Sequence, residues 1–570
     1  MRLAFVARFP TLPFWDFLGV VQFGVLLRDH GLIAPGFVWA ELNPGAPLLL
    51  SILFRLPADP VAIARIATAV ATGLVGGLPF LLWRRAVAYR WRLLAGLLLA
   101  LWPGQIFFSG VVAQDNWVLL PVVALAALAV AQFVARDSPR PVVAGLLYVA
   151  AVATRQDMMV VLLPLLFPAA IRNARSRRRS ARTLILVVAA GLATLLAHRY
   201  LATGRLALTT ESGALSLSGS FMPGSAAGGW VDSRAFATAL HPESAAKTYG
   251  NQRVLLGITL AEIRRRPMFH ALRVASWPPR LALTSDADNL QWSLSIPQAQ
   301  PADRQVDAGT FARSWEPLLL WELAIVQGLF VAACVLGIRR RRGAILVLAA
   351  SVVLKYLIHA LMAPVGRAVV PATAIELLAI AAAATEWTGS PARSRAAFIG
   401  FALAIACALR ATVSPLAAFV VARDSRVLPG VGRFTVRIEG GGSADCRLER
   451  GAIMELGPKR ATFGTTAKDP LEAAKVSCVL PRLEAPGRVD LILRDPTQAY
   501  SPSSRRVTTV TVDGRERARV AMVGQALERL DLGSDFAAAA PVVEIELSPR
   551  RDAPTQPLAD APIQFDFARR

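Results

Sequence analysis

Seven ionisable residues could meet both a membrane surface and water: five lie at or near the ends of long apolar stretches, and two lie in the segment 1–43. Charged groups at such positions are costly unless they are paired or hydrated, which makes them candidates for function. A carboxylate can take the proton of an attacking hydroxyl group. A guanidinium can bind a departing phosphate through two N–H donors. The acids are Asp16, Glu41, Asp115 and Asp157, and the basic residues are Arg155, His359 and Arg367.

Each position also has a structural explanation, because charged side chains stabilise helix ends and loops without doing chemistry. The structural alternatives are a helix cap for Asp115, a solvated loop position for Asp16, an ion pair for Arg155 with Asp157, a packed helix end for His359 and a lipid-headgroup anchor for Arg367. No single residue separates function from structure. The argument for function is that all of these residues are expected on one side of a membrane.

The distribution of arginine in the short loops predicts that common side. Five loops hold eighteen arginines, and the three short loops that alternate with them hold two. Short loops rich in Lys and Arg stay on the cytoplasmic side. The arginine-poor loops, the long segment 202–315 and both chain ends are therefore predicted to face outward. The arginine-rich loops are 84–92, 136–140, 172–182, 339–342 and 387–396, and the poor ones are 109–116, 154–157 and 363–367.

Composition indicates a polytopic membrane protein with an appended water-soluble part, since 54% of the 570 residues are hydrophobic and the mean hydropathy is +0.47. Much of the net charge of +23 lies in the predicted inward loops, so no nucleic-acid partner is expected. The apolar stretches are 61–83, 93–110, 117–135, 141–154, 157–171, 183–201, 316–337, 344–362, 368–386 and 397–420.

Two neighbouring stretches, 141–154 and 157–171, are shorter than the roughly 20 residues of a straight crossing. One long helix through 141–171 is the alternative, but it would place the arginines of 172–182 outside. The charge rule therefore favours two short helices with a turn at 154–157. Residues 1–43 contain no spanning stretch, so either this segment crosses as an outward tail or a first helix lies upstream. Segment 254–283 has the pattern of a helix lying at the membrane interface.

The chain changes character at about residue 424, where short alternating runs replace the apolar stretches. The run 507–512 is followed by Asp513-Gly514, which predicts a β-hairpin. The predicted domains are 1–420, a transmembrane catalytic domain; 421–549, a β-rich, sandwich-like extracytoplasmic domain; and 550–570, a loose tail. Cys446 and Cys478 could form a disulfide in an oxidising compartment, a question that the sequence leaves open.

Several short motifs follow one another in an order that resembles a known family. They are Asp16 in an outward loop, Pro-Gly-Ala-Pro-Leu-Leu-Leu at 44–50, Ser109-Gly110 with Asp115, Thr154-Arg155, Tyr-Leu-Ala-Thr-Gly-Arg at 200–205, and Gly366-Arg367 before Pro371. In these motifs the chain resembles the GT-C glycosyltransferases, polytopic enzymes that take a sugar from a polyprenyl-phosphate lipid. It is most similar to their dolichyl-phosphate-mannose and aminoarabinose-transferase-like branch, over about residues 1–390.

The resemblance implies a mainly α-helical, GT-C-like bundle in a bacterial inner membrane, with the β-rich domain in the periplasm. It implies transfer of a sugar from a polyprenyl-phosphate donor to a hydroxyl group of an envelope glycan, lipid or protein. Asp16 would be the catalytic base and Asp115 a second catalytic acid. The further substrate-binding residues would be Arg155 and Arg367 for the phosphate, with Asp157, His359 and Glu41 beside them.

No cofactor is expected, and the sequence contains no His/Cys cluster or closely spaced acid pair that demands a metal. Arginine could take the role of a metal at the phosphate. Two other classes of function remain open at this point. A transporter or lipid flippase would use paired halves and broken helices at mid-membrane, and a non-catalytic scaffold would use the β-rich domain to bind envelope proteins.

Overall fold

The computed structural model describes most of the chain, and its described residues divide into two compact units. The helical unit comprises 1–213 and 268–422, and the sandwich unit comprises 214–267 and 423–570. The described residues are 1–13, 15–32, 42–134, 140–171, 177–204, 206, 212–221, 252–294, 305–362, 365–385, 392–422, 432–439, 442–450, 452–456, 460–464, 474–481, 489–494, 506–522, 527–532, 540–547 and 563–569.

The helices are numbered here along the described chain. They are α1 (Arg2–Arg8), α2 (Trp15–His30), α3 (Gly45–Leu53), α4 (Pro60–Leu74), α5 (Gly77–Leu82), α6 (Tyr89–Leu101), α7 (Pro103–Phe108), α8 (Gln114–Trp117), α9 (Leu119–Val134), α10 (Pro141–Thr154), α11 (Met158–Val161), α12 (Leu163–Ile171), α13 (Arg177–Thr203), α14 (Ser212–Phe221), α15 (Gln252–Arg265), α16 (Pro267–Leu294), α17 (Gln305–Arg339), α18 (Gly343–Leu361), α19 (Val370–Ala384) and α20 (Ala392–Ala422).

Long apolar helices confirm a multi-pass membrane protein. Among the described residues, seven helical segments are long and apolar enough to cross a bilayer: 60–82, 114–134, 178–203, 307–339, 343–361, 366–384 and 394–417. Two shorter apolar helices, 141–154 and 158–170, have the predicted break between them. The predicted stretch 93–110 is instead two short helices, because Pro103 cannot continue α6 and starts α7.

The helices differ in what surrounds them. In the segment 366–384, which contains α19, 89% of the most apolar 18-residue stretch is buried inside the protein, whereas in α13 only 11% of such a stretch is buried. Residues 122–132 of α9 are likewise all buried. A helix that is apolar on every side belongs in a protein core or in lipid. Large apolar side chains such as Ile185 and Leu186 of α13 are exposed, which is the expected surface of a helix that faces lipid.

Helix α16 differs from its prediction as a helix at the membrane interface. It extends to Leu294, and its buried residues include Arg273, Ser285 and Asp286. The indole N–H of Trp102 donates to Asp286 at 2.5 Å. Because these polar side chains are buried and Asp286 accepts a hydrogen bond from Trp102, the helix packs inside the unit.

Helix α18 connects two ends of the helical unit. At its start, Gly343 lies directly against the ring of Phe133, near the end of α9. At its other end, Lys355 and His359 reach Asp157. The end of α9, which precedes the arginine-rich loop 136–140, therefore meets the start of α18, which follows the loop 339–342. The turn 154–157 lies at the other end of α18. The 19 residues of α18 span about 28 Å, close to the hydrocarbon thickness of a bilayer.

The sandwich unit contains two antiparallel sheets around one apolar core. The larger sheet has the order β1-β2-β5-β10-β7-β8, and the smaller has the order β3-β4-β11-β6-β9. Phe434 of the first sheet packs 6.4 Å from Phe565 of the second. The strands are β1 (Arg433–Arg437), β2 (Ser443–Arg450), β3 (Ala452–Leu456), β4 (Arg460–Gly464), β5 (Ala474–Val479), β6 (Val489–Arg494), β7 (Arg506–Val512), β8 (Arg515–Met522), β9 (Leu527–Asp531), β10 (Val542–Leu547) and β11 (Ile563–Arg569).

In this unit one local prediction is confirmed, and the question of the disulfide is answered. Asp513 and Gly514 form the turn between β7 and β8, both with positive φ (49° and 75°), as a two-residue hairpin turn requires. Cys446 of β2 lies opposite Cys478 of β5, and the two form a disulfide. The expected class, a mainly helical membrane protein with a C-terminal β-sandwich, therefore describes this structure.

Residues 563–569 differ from the loose tail expected over 550–570. Residues 563–569 form β11, which pairs with β4 on one side and β6 on the other. Phe565 and Phe567 are fully buried in the sandwich core. The alternation of aromatic and polar residues over these positions favours a strand, and burial of two rings stabilises it. The structure also groups residues 214–267, which the sequence analysis placed with the membrane domain, with the sandwich.

Candidate active site

Three sequence-distant segments meet at the end of the helical unit that contains the turn 154–157. The side-chain amide of Gln114 donates to the carbonyl of Asn43 at 3.2 Å. The start of α3 packs so closely on the end of α10 that a Cβ on Gly45 would lie 2.9 Å from the Cα of Thr154. The motifs at 44–50, 109–115 and 154–155, or residues adjoining them, are therefore neighbours in space.

The local backbone explains why Arg155 and Asp157 point away from the helix axis. Helix α10 ends at Thr154, whose hydroxyl donates to Ala150 in the preceding turn, and Arg155 follows in an extended conformation. Asp157 occupies the N-cap position of α11 but makes no side-chain capping bond. Its carboxylate is therefore available to neighbouring cations instead of the helix end.

Asp157 is the centre of a buried charge cluster. Its Oδ1 accepts from Nε of Arg155 at 3.0 Å, and its Oδ2 pairs with the ammonium of Lys355. Nε2 of His359 lies 3.0 Å from the same Oδ2. Lys355 and His359 are four residues apart on α18, so they occupy one face of that helix and reach one carboxylate together.

Arg155 links this cluster to the second predicted acid. Its guanidinium also pairs with Asp115, whose side chain is only 6% exposed. In the described part of the chain the cluster thus contains two carboxylates, one guanidinium and one ammonium, with His359 beside them. Burial alone raises a carboxyl pKa, but the adjacent Arg155 and Lys355 outweigh it and lower the pKa of Asp157 well below its usual range.

A second arginine–aspartate pair joins positions 351 residues apart. The guanidinium of Arg367 donates to both carboxylate oxygens of Asp16, at 3.3 Å and 2.9 Å. The Asp16 side chain is 50% exposed, whereas that of Arg367 is 18% exposed. Asp16 lies in the first turn of α2, where the helix dipole favours a negative charge.

Aromatic rings surround the guanidinium of Arg367. Its central carbon lies 4.6 Å from the ring centres of both Phe17 and Trp292. The two rings are nearly perpendicular, with their centres 5.9 Å apart, so they form a corner around the cation. Such contacts favour arginine over lysine, because a planar guanidinium stacks on rings while keeping its N–H groups in plane.

The backbone before Arg367 is fixed by α16. Arg367 belongs to the 3₁₀ turn Gly366–Val369, which leads directly into α19. The backbone N–H of Gly366 donates to the carboxylate of Asp288. A Cβ on Gly366 would lie 2.8 Å from the Cα of Ser285, so only glycine allows this approach.

The structure therefore groups the predicted residues into two sets. Asp115, Arg155, Asp157 and His359 form the buried cluster, and Asp16 and Arg367 form the half-exposed pair. Glu41 lies outside the described residues. The sequence analysis did not single out Lys355 or Trp292. Lys355 had a usable signal, since it is a charged residue within an apolar stretch, one helical turn before His359.

Other polar residues in and beside the motif Ser109–Asp115 have structural partners. Asn116 donates to the carbonyls of Phe108 and Val111, at 2.9 Å and 2.7 Å. The Ser109 hydroxyl donates to Ile106. Asn116 and Ser109 thus stabilise the chain reversal that brings Asp115 to Arg155. Within the described residues, no group of three or more His, Cys, Asp or Glu side chains could hold a metal ion.

The similarity of this chain to known proteins is weak. No family model and no curated protein match this chain. One similar solved structure is the archaeal oligosaccharyltransferase AglB from Archaeoglobus fulgidus, in complex with an inhibitory peptide and a dolichol-phosphate. The match has a TM-score of 0.35 and 14% identity, over 72% of this chain and 52% of AglB.

A second similar structure is the arabinosyltransferase EmbB from Mycobacterium smegmatis. Here the TM-score is 0.24 and the identity 12%, over 97% of this chain and 62% of EmbB. The chain thus spans about half the length of AglB and less than two thirds of EmbB. TM-scores this low transfer no residue role and no substrate from either protein.

Proposed function

We propose that this protein is a membrane glycosyltransferase that moves a sugar from a polyprenyl-phosphate donor to a hydroxyl group of an envelope acceptor. The observation that carries the proposal is the direct contact between Asp16 and Arg367 at one end of a membrane bundle. A proton acceptor and a phosphate-binding cation must both lie within reach of one anomeric carbon for this reaction. The ordered motifs of residues 1–390, described above, support the same class.

In the proposed reaction, the acceptor oxygen attacks the anomeric carbon while the bond from that carbon to the phosphate oxygen breaks. The bonding electron pair leaves with the phosphate, and the proton of the attacking hydroxyl passes to Asp16. Half exposure suits Asp16 for this role, because an acceptor from outside the bundle can approach it. The departing phosphate gains negative charge, which Arg367 can neutralise through its N–H groups.

Arg155 is the second proposed phosphate contact, and its neighbours are proposed to hold it in place. Its side chain is 18% exposed although it pairs with both Asp115 and Asp157. Asp115 has little exposure of its own, so its proposed catalytic part is to orient Arg155 toward the donor. Asp157, Lys355 and His359 fix that arrangement from behind, and Glu41 stays a predicted substrate-binding residue.

The proposed location and partners follow the arginine distribution. The site lies at the end of the bundle where arginine-poor loops meet, which the charge rule places outside the cytoplasm. The donor would enter from the outer leaflet of a bacterial inner membrane, and the sandwich would lie in the periplasm. A glycan, a lipid or a protein could supply the acceptor hydroxyl. The charged residues of the site gather at one end, whereas a transporter or flippase needs a path through mid-membrane.

The test is transfer by the purified full-length protein in lipid nanodiscs. Radiolabelled polyprenyl-phosphate sugars would be supplied one at a time, with an envelope extract as the source of acceptor. Asp16→Asn should abolish transfer while leaving the melting temperature close to that of wild type, because the pair is half exposed.

Asp29→Asn is the matched control, since Asp29 also lies on α2 and also pairs with an arginine, Arg28. It should transfer like wild type. Absence of transfer with every donor would reject the proposed function. Equal transfer by wild type and Asp16→Asn would reject the assigned base and leave the enzyme class standing.

A further inference from the structure

Resting on the proposed function, we propose that Arg367 binds two anions in turn: Asp16 in the resting protein, and the phosphate of the lipid donor in the donor complex. Donor binding would thereby release the catalytic carboxylate. We further propose that Trp292 is the positioning residue that keeps the guanidinium in place during this exchange.

Asp16 is engaged by Arg367 in this structure. Both of its carboxylate oxygens accept N–H groups from Arg367, at 3.3 Å and 2.9 Å. Those oxygens are the atoms that must receive the acceptor's proton. While the bidentate pair holds, the lone pairs that face the guanidinium are occupied, and the carboxylate is a poor proton acceptor.

Arg367 is the fixed partner and Asp16 the movable one. Phe17 and Trp292 enclose the guanidinium, and the Gly366 N–H bond to Asp288 fixes the preceding backbone. Asp16 is half exposed at the start of a helix and has only a short side chain to rotate. A competing anion would therefore move the carboxylate and leave the guanidinium where it is.

Arg155, the other arginine of the site, cannot exchange a carboxylate for a phosphate without a large cost in free energy. Arg155 pairs with Asp115 and Asp157, and Asp157 in turn holds the fully buried Lys355. Displacing Asp157 from this cluster would disturb a buried ammonium, which is strongly unfavourable. Among the described residues, Arg367 pairs with one carboxylate, that of Asp16, and Asp16 can turn into water.

A phosphate monoester carries more negative charge near neutral pH than a carboxylate and presents three acceptor oxygens. Placed on the same guanidinium, the two anions would repel each other, and the more weakly held one would leave. The consequence is an order of events: the lipid phosphate binds first, and only then does Asp16 become available to the acceptor.

The experiment measures how accessible the Asp16 carboxyl group is in the full-length protein. A water-soluble carbodiimide and an amine would label carboxyl groups in nanodiscs, and mass spectrometry would quantify the label on the peptide containing Asp16. The probe is polyprenyl monophosphate, and polyprenol of equal chain length is the control that lacks the phosphate. Binding of the radiolabelled probe is measured on the same samples.

Labelling of Asp16 should rise about fivefold on addition of polyprenyl monophosphate, the scale expected for loss of a half-exposed ion pair. Polyprenol should leave it unchanged. In Arg367→Gln the label should already be high and should not respond to the probe. Asp29, which pairs with Arg28 and is 45% exposed, is the internal control and should not change in any sample.

Trp292 is tested by two variants. Trp292→Ala should raise the resting label on Asp16 and weaken probe binding, and Trp292→Phe should restore both because it keeps a ring beside the guanidinium. A purely structural role for Trp292 would leave the resting label unchanged in folded Trp292→Ala.

Binding of the probe to wild type without a rise in Asp16 labelling would overturn the exchange and leave the proposed function standing. Absence of probe binding would overturn the exchange together with the proposed donor class. The two failures are therefore distinguishable.

Discussion

The described residues of the candidate site form two arginine–aspartate assemblies that use the same chemical groups in opposite ways. Arg155 is shared by two carboxylates, one of which also binds a buried lysine, and the whole cluster lies inside the bundle. Arg367 binds one carboxylate that is half in water, and rings cover the guanidinium instead of further charges. The first is a charge-balanced network in the interior, and the second is an open pair at its surface.

The difference teaches which assembly stabilises the fold and which can respond to a ligand. A buried network is costly to disturb, because removing one member leaves an uncompensated charge. An exposed ion pair contributes little to stability and can exchange partners. We therefore expect the Arg155 cluster to hold the geometry of the site and the Arg367 pair to change during the reaction. Four predictions test that division.

The largest expected effect is on stability, at Lys355. Lys355→Met removes an ammonium that is fully buried against Asp157, and should lower the free energy of unfolding by about 3–5 kcal/mol. Thermal unfolding of the protein in nanodiscs measures this loss of stability. Arg28→Gln removes the cation of an exposed pair and is the control, with a loss of at most about 1 kcal/mol. Equal losses in the two variants would remove the distinction between buried and exposed pairs.

The next effect is on activity, at Arg367. Arg367→Gln should lower transfer by about 10²–10³-fold, the scale for losing one donor to a developing anion. Its melting temperature should stay near that of wild type, because the carboxylate partner of Arg367, Asp16, is half exposed. Arg155→Gln should lose transfer and stability together. The comparison would fail if Arg367→Gln unfolded the protein as readily as Arg155→Gln.

A smaller effect is expected at the close backbone approach behind Arg155. A Cβ on Gly45 would lie 2.9 Å from the backbone of Ala153 and Thr154, so Gly45→Ala should destabilise by about 1–3 kcal/mol. Gly77→Ala is the matched control, since no described atom lies within 4 Å of its added Cβ. The control should be neutral or slightly stabilising, by up to about 1 kcal/mol. The measurement is the unfolding midpoint of each variant, and equal midpoints for Gly45→Ala and Gly77→Ala would contradict the prediction.

The last prediction is that the stability contributed by the Asp157 carboxylate does not change between pH 7.5 and pH 5. A carboxyl group whose folded pKa is depressed contributes stability above its unfolded pKa, and loses it only as the pH falls through the folded value. Arg155 and Lys355 hold the pKa of Asp157 well below its usual range despite burial. The difference in melting temperature between wild type and Asp157→Asn should therefore be the same at pH 7.5 and pH 5. A difference that shrinks at pH 5 would show that Asp157 has taken up a proton.

The sequence predicts those parts of the molecule that depend on local patterns. Apolar length located the spans, charge and length together located the turn at 154–157, and Asp513-Gly514 located a hairpin. The candidate residues were also found individually, because ionisable side chains stand out beside apolar stretches. The side of the membrane, the catalytic roles and the donor stay predictions.

The pairing of those residues was not predictable, because it depends on which helices pack together. The residues next to each arginine in the sequence do not show that Arg155 pairs with two carboxylates and Arg367 with one. Trp292 contacts Arg367 only because α16 is buried, and its mixed sequence suggested a helix at the membrane surface. Strand β11 was missed because seven residues after a long polar segment give little evidence until their rings are seen inside the core.

The position of β11 bears on how the sandwich is made. Strands β4 and β6 belong to one sheet but do not pair with each other, because β11 lies between them. A ribosome completes β6 well before it reaches residue 563, at roughly 5–20 residues per second. During those seconds both strands carry an open edge, and the apolar layer lacks two phenylalanines. Until β11 is made, the open edges of β4 and β6 can pair with another chain, which is a route to aggregation.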